Sequence, residues 1–290
     1  MLSKSKLIAY AELIRLDRPI GIYLLLWPTL WALFVAGEGQ PKFTITLVFI
    51  VGVILMRSAG CAINDYADRN IDGRVARTKN RPIVTGKITK REAILVFIVL
   101  CLIAFLLTVI YLNQLTLLLS LVAVLLAAVY PFSKRLHYLP QVHLGIAFAW
   151  AVPMAFTAQT GAMPPSYGWL IFVATVIWTT AYDTIYGMID RDDDIKLGVK
   201  STAILFGEAD RIIIAILQAF TLLCLLAIGT QTGLRYWFFI SLGIAACLFV
   251  YQQKLIYHRD PEQCLKAFLN NNIVGLVLFL GIISSYWMPI

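Results

Sequence analysis

Long apolar runs separated by short polar segments dominate the chain, and nine of them reach or approach the length a helix needs to cross a membrane. They extend approximately from Ile20 to Ala36, Ile45 to Ile63, Ile94 to Leu112, Leu115 to Tyr130, Val142 to Phe156, Trp169 to Met188, Ile212 to Ile228, Trp237 to Tyr251 and Phe268 to Trp287. A hydrocarbon core of roughly 30 Å takes about 17 to 25 helical residues. The pattern therefore predicts an all-α polytopic membrane protein, residues 1–290 forming a single integral-membrane domain. The fourth, fifth and eighth runs are short for this task. Ahead of the first run, Leu7, Ile8, Tyr10, Ala11, Ile14 and Arg15 fall in helical phase, which predicts an amphipathic helix in the membrane interface.

Composition sharpens this picture. The 290 residues are 60% hydrophobic and only 14% charged, with a mean hydropathy of +0.81, far from a soluble domain. Of the 24 Lys and Arg, all but Lys42, Arg57 and Arg235 fall in the N-terminal segment or in the loops that follow even-numbered runs. The positive-inside rule then places the N-terminus and those loops in the cytoplasm, with the C-terminus outside. The net charge of +8 is thus topological, and no nucleic-acid partner is needed to explain it. No cleavable signal is read, because the first apolar run is already of spanning length. The five cysteines lack zinc spacing and read as packing residues. Trp27, Trp31, Trp169, Trp237, Tyr251 and Trp287 lie near run ends and read as interfacial anchors.

Two acidic clusters interrupt the apolar pattern at the ends of the second and sixth runs. Asn64, Asp68 and Asp72 stand in NDYADRNID, and Asp190 and Asp194 in DRDDD. Side chains four residues apart share a helix face, so each cluster can offer converging oxygens to a hard cation. Two such clusters in a membrane protein suggest Mg2+ holding a diphosphate. Asp190 lies as far from Asp68 as Asp194 does from Asp72, four runs later. That echo predicts two four-helix repeats plus a ninth helix, with the clusters facing one another across a central cavity.

Further polar residues extend these clusters inward. Asp183 lies within the sixth run, seven residues before Asp190 and on the same face. An ionisable group in a span costs about 2.5 to 3.5 kcal/mol on insertion scales and usually lines a polar cavity. Arg57 lies seven residues before Asn64 and requires an anionic partner, either Asp183, Asp65 or a bound substrate. Asp192, Asp193, Asp210, Asp260 and Glu262 read as solvated loop residues. Four aspartates and a diphosphate, about −4 and about −3, exceed the charge of two Mg2+ by about three, which Arg77, Arg81 and Lys134 would supply. Asp72, Gly73 and Arg77 also fit the start of a CDP-alcohol phosphatidyltransferase pattern, but Lys90 and Ile94 stand where that pattern needs aspartates.

The two clusters resemble the NDxxDxxxD and DxxxD motifs of the UbiA superfamily of intramembrane prenyltransferases. The likeness extends through RLDRPIGIYLLLWPTLWAL, RSAGCAINDYADRNIDGRVARTKNRPIVTG, YPFSKRLHYLPQ and YDTIYGMIDRDDDIKLGVKSTAILFG, essentially the whole chain, and is strongest to bacterial members acting on 4-hydroxybenzoate. It implies nine transmembrane helices around a central cavity open to membrane lipid, Mg2+ dependence, and polyprenyl transfer from polyprenyl diphosphate to 4-hydroxybenzoate in ubiquinone biosynthesis. Carried over by position, it makes Asn64, Asp68, Asp72, Asp190 and Asp194 the metal and diphosphate site. It makes Arg57, Arg77, Arg81, Tyr130 and Lys134 substrate contacts; the chemistry would further need a base for the ring proton, for which water, Asp183 or Asp190 is a candidate. Another aromatic acceptor, or a cation-coupled transporter with carboxylates at broken helices near the midplane, would be the competing readings.

Overall fold

Lipid offers backbone N–H and C=O groups no partner, so each apolar run must satisfy them internally as helix. A computed structural model describes residues 4–75 and 77–288. An N-terminal helix, α1 (Lys4–Leu13), precedes α2 (Ile20–Ala36), α3 (Phe43–Asp68), α4 (Lys90–Tyr111) and α5 (Gln114–Leu136). There follow α6 (Pro140–Ala149), α7 (Ala151–Thr160), α8 (Ser166–Ile189), α9 (Arg191–Leu197), α10 (Thr202–Phe206), α11 (Asp210–Thr232), α12 (Tyr236–Leu255) and α13 (Pro261–Trp287).

All nine predicted runs fall on helices. Eight segments are long and apolar enough to cross a membrane, and α2, with 17 residues, falls just below that length. The count of nine therefore rests on α2. The short fourth, fifth and eighth runs lengthen to Gln114–Leu136, Pro140–Thr160 and Tyr236–His258, because polar residues at their ends continue the helices. The fifth is interrupted at Trp150, where α6 passes to α7, and this interruption carries no carboxylate.

Position in the bundle follows composition. The most apolar span, α4, buries little of itself, while the least apolar, α8, is the most buried. Large apolar side chains of α4 such as Leu95, Ile98, Leu102 and Ile110 stay exposed, as expected where lipid is the neighbour. Threonines and aromatics of α8 instead pack against α2, α6, α11 and α13. Close approach of α6 to α8 requires Gly145, since a Cβ there would lie 2.7 Å from the Val176 carbonyl oxygen. At equivalent places in the two halves, α3 packs along α4 and α8 along α11.

Two expectations change here. Trp27 and Trp31 are not interfacial: Trp31 is 1% exposed and stacks on Trp178 at 5.2 Å. Their indole N–H groups donate to α13, Trp27 to Asn272 Oδ1 at 2.8 Å and Trp31 to the Gly275 carbonyl at 3.2 Å. A buried indole must find an acceptor, and α13 supplies one. Asp210 is likewise not solvated but fully buried. It accepts Arg259 Nε at 3.0 Å, Arg259 Nη2 at 2.9 Å and the Arg211 backbone N–H at 2.7 Å. The N-terminal helix turns Leu7 and Ile8 outward, as an interfacial helix would, while its Ala9 and Leu13 pack with Ala62, Ile83, Ile88 and Ala93.

Trp178, completely buried, donates to Asn271 Oδ1 at 2.8 Å. Replacing Asn271 by Leu strands that N–H and should cost about 1 to 3 kcal/mol, read as a lowered Tm in detergent. Asn272→Leu should cost less, because Trp27 is only partly buried.

Candidate active site

Both acidic motifs stand at helix breaks rather than along one continuous face. The third helix ends at Asp68, a turn closed by the Ile71 N–H on the Asp68 carbonyl follows, and Asp72 opens a short 3-10 turn, Asp72–Arg74. Asn64 and Asp68 thus share α3, whereas Asp72 returns to them through the turn. Asp190 is the junction between α8 and α9, and Asp194 lies one turn into α9, its N–H on the Asp190 carbonyl at 2.9 Å. The expectation that each motif occupies a single helix face is corrected accordingly.

Charge compensation decides where the side chains go. Lys134, at the end of α5, donates to Asp68 Oδ2. Arg81 Nη1 lies 2.7 Å from Asp72 Oδ2 and 3.1 Å from Asp65 Oδ1, which also receives Arg15 Nη2 at 2.7 Å. Arg77 reaches from the loop after the first motif to the second, donating to Asp190 and to the Tyr186 hydroxyl, with its guanidinium 4.7 Å from the Tyr186 ring. The backbone N–H of Lys200, after the second motif, donates to the Lys134 carbonyl at 3.0 Å. The two motifs are thereby brought face to face.

One cavity of about 1420 Å³ is lined by all eleven residues singled out in the sequence: Arg57, Asn64, Asp68, Asp72, Arg77, Arg81, Tyr130, Lys134, Asp183, Asp190 and Asp194. Its charged end holds both motifs. Its other walls are apolar, with Val53, Met56, Phe105, Val124, Leu144 and Met154 from α3 to α7. Arg57 lies inside α3, about 10 Å along the helix from Asn64 at 1.5 Å per residue. Among the described residues it has no carboxylate within ion-pair distance, and its Nε is buried without a partner. The Phe148 ring lies 5.9 Å from its guanidinium carbon. Asp65 is not its partner, being taken by Arg15 and Arg81.

No three His, Cys, Asp or Glu among the described residues form a ready-made metal-ligand group, because three of the four motif aspartates are turned toward cations of the chain. Yet Asp68 Oδ1 is buried and unpartnered. Burial pushes the Asp72 carboxyl above the usual carboxylate range, with Arg81 opposing. Burial, then the charge of Asp190, pushes Asp194 up to about 6. These are hard oxygen donors short of positive charge, which fits a divalent cation such as Mg2+.

Sequence reasoning missed Arg15, and treated Asp65 only as a possible partner of Arg57. The adjacent Asn64-Asp65 dipeptide was the available signal, since the neighbour must point to another face and find its own cation. Phe268, whose ring lies 4.6 Å from that of Tyr186, carried no signal at all; only the arrival of α13 beside α8 reveals it.

Lys134→Met would leave Asp68, whose side chain is 2% exposed, without its cation. The expected loss of stability is about 3 kcal/mol, the lower end for a broken buried pair because Lys134 is 25% exposed. Adding Asp68→Asn should recover most of it, as read by thermal unfolding in detergent.

Known proteins share this architecture and sequence. The model of the UbiA prenyltransferase family matches residues 25–280. A protein of Nitrosococcus oceani named 4-hydroxybenzoate octaprenyltransferase is 58% identical over 98% of this chain and 99% of its own. One of Saccharophagus degradans with the same name is 57% identical over 97% of this chain and 93% of its own. The apo structure of a UbiA homologue from Aeropyrum pernix superposes with a TM-score of 0.81 at 27% identity, covering 91% of this chain and 97% of that one. A UbiA homologue from Archaeoglobus fulgidus bound to GPP and Mg2+ gives 0.67 at 21% identity over 95% of this chain and 99% of that one, a likeness of fold. Motifs, bundle and full-length similarity agree that this chain belongs to the UbiA prenyltransferase family.

Proposed function

We propose that this chain transfers a polyprenyl group from polyprenyl diphosphate to the ring carbon ortho to the hydroxyl of 4-hydroxybenzoate, releasing diphosphate, as a step in ubiquinone biosynthesis. The observation that carries this reading is the shape of one cavity. A carboxylate-rich end, an arginine with no carboxylate in ion-pair distance among the described residues and apolar walls share it, and each suits one part of the two substrates. The names of the bacterial relatives support 4-hydroxybenzoate as acceptor and an octaprenyl donor.

Asn64, Asp68, Asp72, Asp190 and Asp194 would hold Mg2+, and such an ion, when bound, neutralises the diphosphate and eases its departure. Once cation and carboxylates are paired, Arg77, Arg81 and Lys134 are placed to donate to diphosphate oxygens as charge builds on them. The allylic C–O bond breaks with its electron pair leaving on diphosphate, and the π faces of Tyr130 and Tyr186 flank the resulting prenyl cation. Arg57 holds the acceptor carboxylate, well away from the diphosphate site along α3. The ring carbon forms the new C–C bond, and Asp183 accepts the ring proton. Asp190, engaged by Arg77, is less free to do so. Apolar walls exclude water that would otherwise quench the cation.

The whole chain acts as one membrane domain in this reading. The basic loops and the charged end of the cavity face the cytoplasm of a bacterial inner membrane, from which the acceptor arrives, and the polyprenyl tail extends into lipid.

Purified protein given 4-hydroxybenzoate and polyprenyl diphosphate should form 3-polyprenyl-4-hydroxybenzoate with Mg2+ and not with EDTA. Asp68→Ala and Asp190→Ala should lower turnover by about 100-fold or more while remaining folded. Near-normal turnover in either variant would remove the metal assignment. Diphosphate release without the prenylated product would reassign the acceptor.

A further inference from the structure

Gly21, in the first turn of α2, is buried directly against the guanidinium of Arg57 on α3. A Cβ placed on Gly21 would lie 2.5 Å from Nη2 and 2.8 Å from Cζ, well inside van der Waals contact. Both residues line the cavity. The guanidinium thus lies against the bare backbone of α2, and the ring of Phe148 on α6 lies 5.9 Å from its carbon. Tyr130 and Asp183 line the same cavity.

We infer that Gly21 is a positioning residue for the acceptor: the missing side chain makes the slot that fixes the Arg57 guanidinium, and with it the depth at which the acceptor ring lies beneath the prenyl donor. The inference rests on the proposed role of Arg57 in holding the acceptor carboxylate. What a side chain at position 21 would meet is the far end of a flexible arginine, not backbone. The guanidinium, rather than the helix, is therefore what gives way. Displaced by about 1 Å, it would carry the acceptor out of attack geometry, and misplacement on that scale can cost about 100-fold in rate. The motif carboxylates, at and just after the end of α3 and at the α8–α9 junction and on α9, would be undisturbed. A glycine serving only helix packing would instead affect both substrates alike.

A double-mutant cycle separates these roles. Gly21→Ala, Arg57→Met and the double variant are purified, and kcat and KM are measured for each substrate. Gly21→Ala should lower kcat/KM for 4-hydroxybenzoate by about 10- to 100-fold and leave KM for polyprenyl diphosphate unchanged. It should also narrow the preference for 4-hydroxybenzoate over 4-hydroxybenzamide. In the Arg57→Met background it should have no further effect, the non-additivity expected of two residues acting through one contact. Additive losses, or an equal rise in KM for polyprenyl diphosphate, would overturn the inference. So would a Gly21→Ala protein that fails to fold, since the backbone and not the guanidinium would then have borne the clash. A wild-type protein inactive on 4-hydroxybenzoate would overturn the proposed function, and this inference with it. Normal wild-type turnover with an additive cycle would overturn the Gly21 assignment alone.

Discussion

Negative charge buried in a membrane bundle must be matched by positive charge from the same chain, and this requirement organises the catalytic end of the molecule. Two of these cations come from a stretch of sequence remote from their carboxylates. Lys134 of α5 compensates Asp68 of α3, Arg81 of the following loop bridges Asp65 and Asp72, and Arg77 of that loop compensates Asp190 after α8. An unpaired carboxylate here would cost several kcal/mol. The loop after α3 is therefore tied back to α3 through Arg81 and across to the second motif through Arg77. Electrostatics, more than apolar packing, brings the two halves together at this end.

Burial and polarity then grade along the cavity. At one end the walls are ions and their counter-ions; at the other they are Val, Leu, Phe and Met. Arg57 stands between the two regimes with its Nε unpartnered among the described residues. Reactive intermediates survive where water is scarce, and under the proposed function this grading would put the charged leaving group at the wet end and the hydrocarbon tail at the dry one.

Much of this was legible beforehand. Apolar periodicity placed every span, because lipid imposes helix on any long apolar run. Asn64, Asp68, Asp72, Asp190 and Asp194 stood out because their spacing lets each cluster converge oxygens on a hard cation, and all five line the cavity. Local helix breaks were not legible: nothing in NDYADRNID announces that α3 stops at Asp68. Neither was the fate of Trp27, Trp31 and Asp210. A tryptophan near a span end suits the interface or the interior equally well, and only the acceptors on α13 decide between them. Likewise the burial of Asp210 depends on Arg259, which a turn after α12 brings back to it. Spacing reveals which residues can share a face, whereas pairing across distant elements emerges only on folding.

The run Asn270-Asn271-Asn272 on α13 bears on how the protein is made. Asn270 accepts Gln252 of α12, Asn271 accepts Trp178 of α8, and Asn272 accepts Trp27 of α2. During synthesis α2, α8 and α12 leave the ribosome before α13 exists. Until α13 inserts, those donors lie in a low-dielectric environment without these acceptors. An assembly intermediate lacking α13 thus leaves these donors unpaired, and the insertion of this last helix completes the polar pairing of three earlier ones at once.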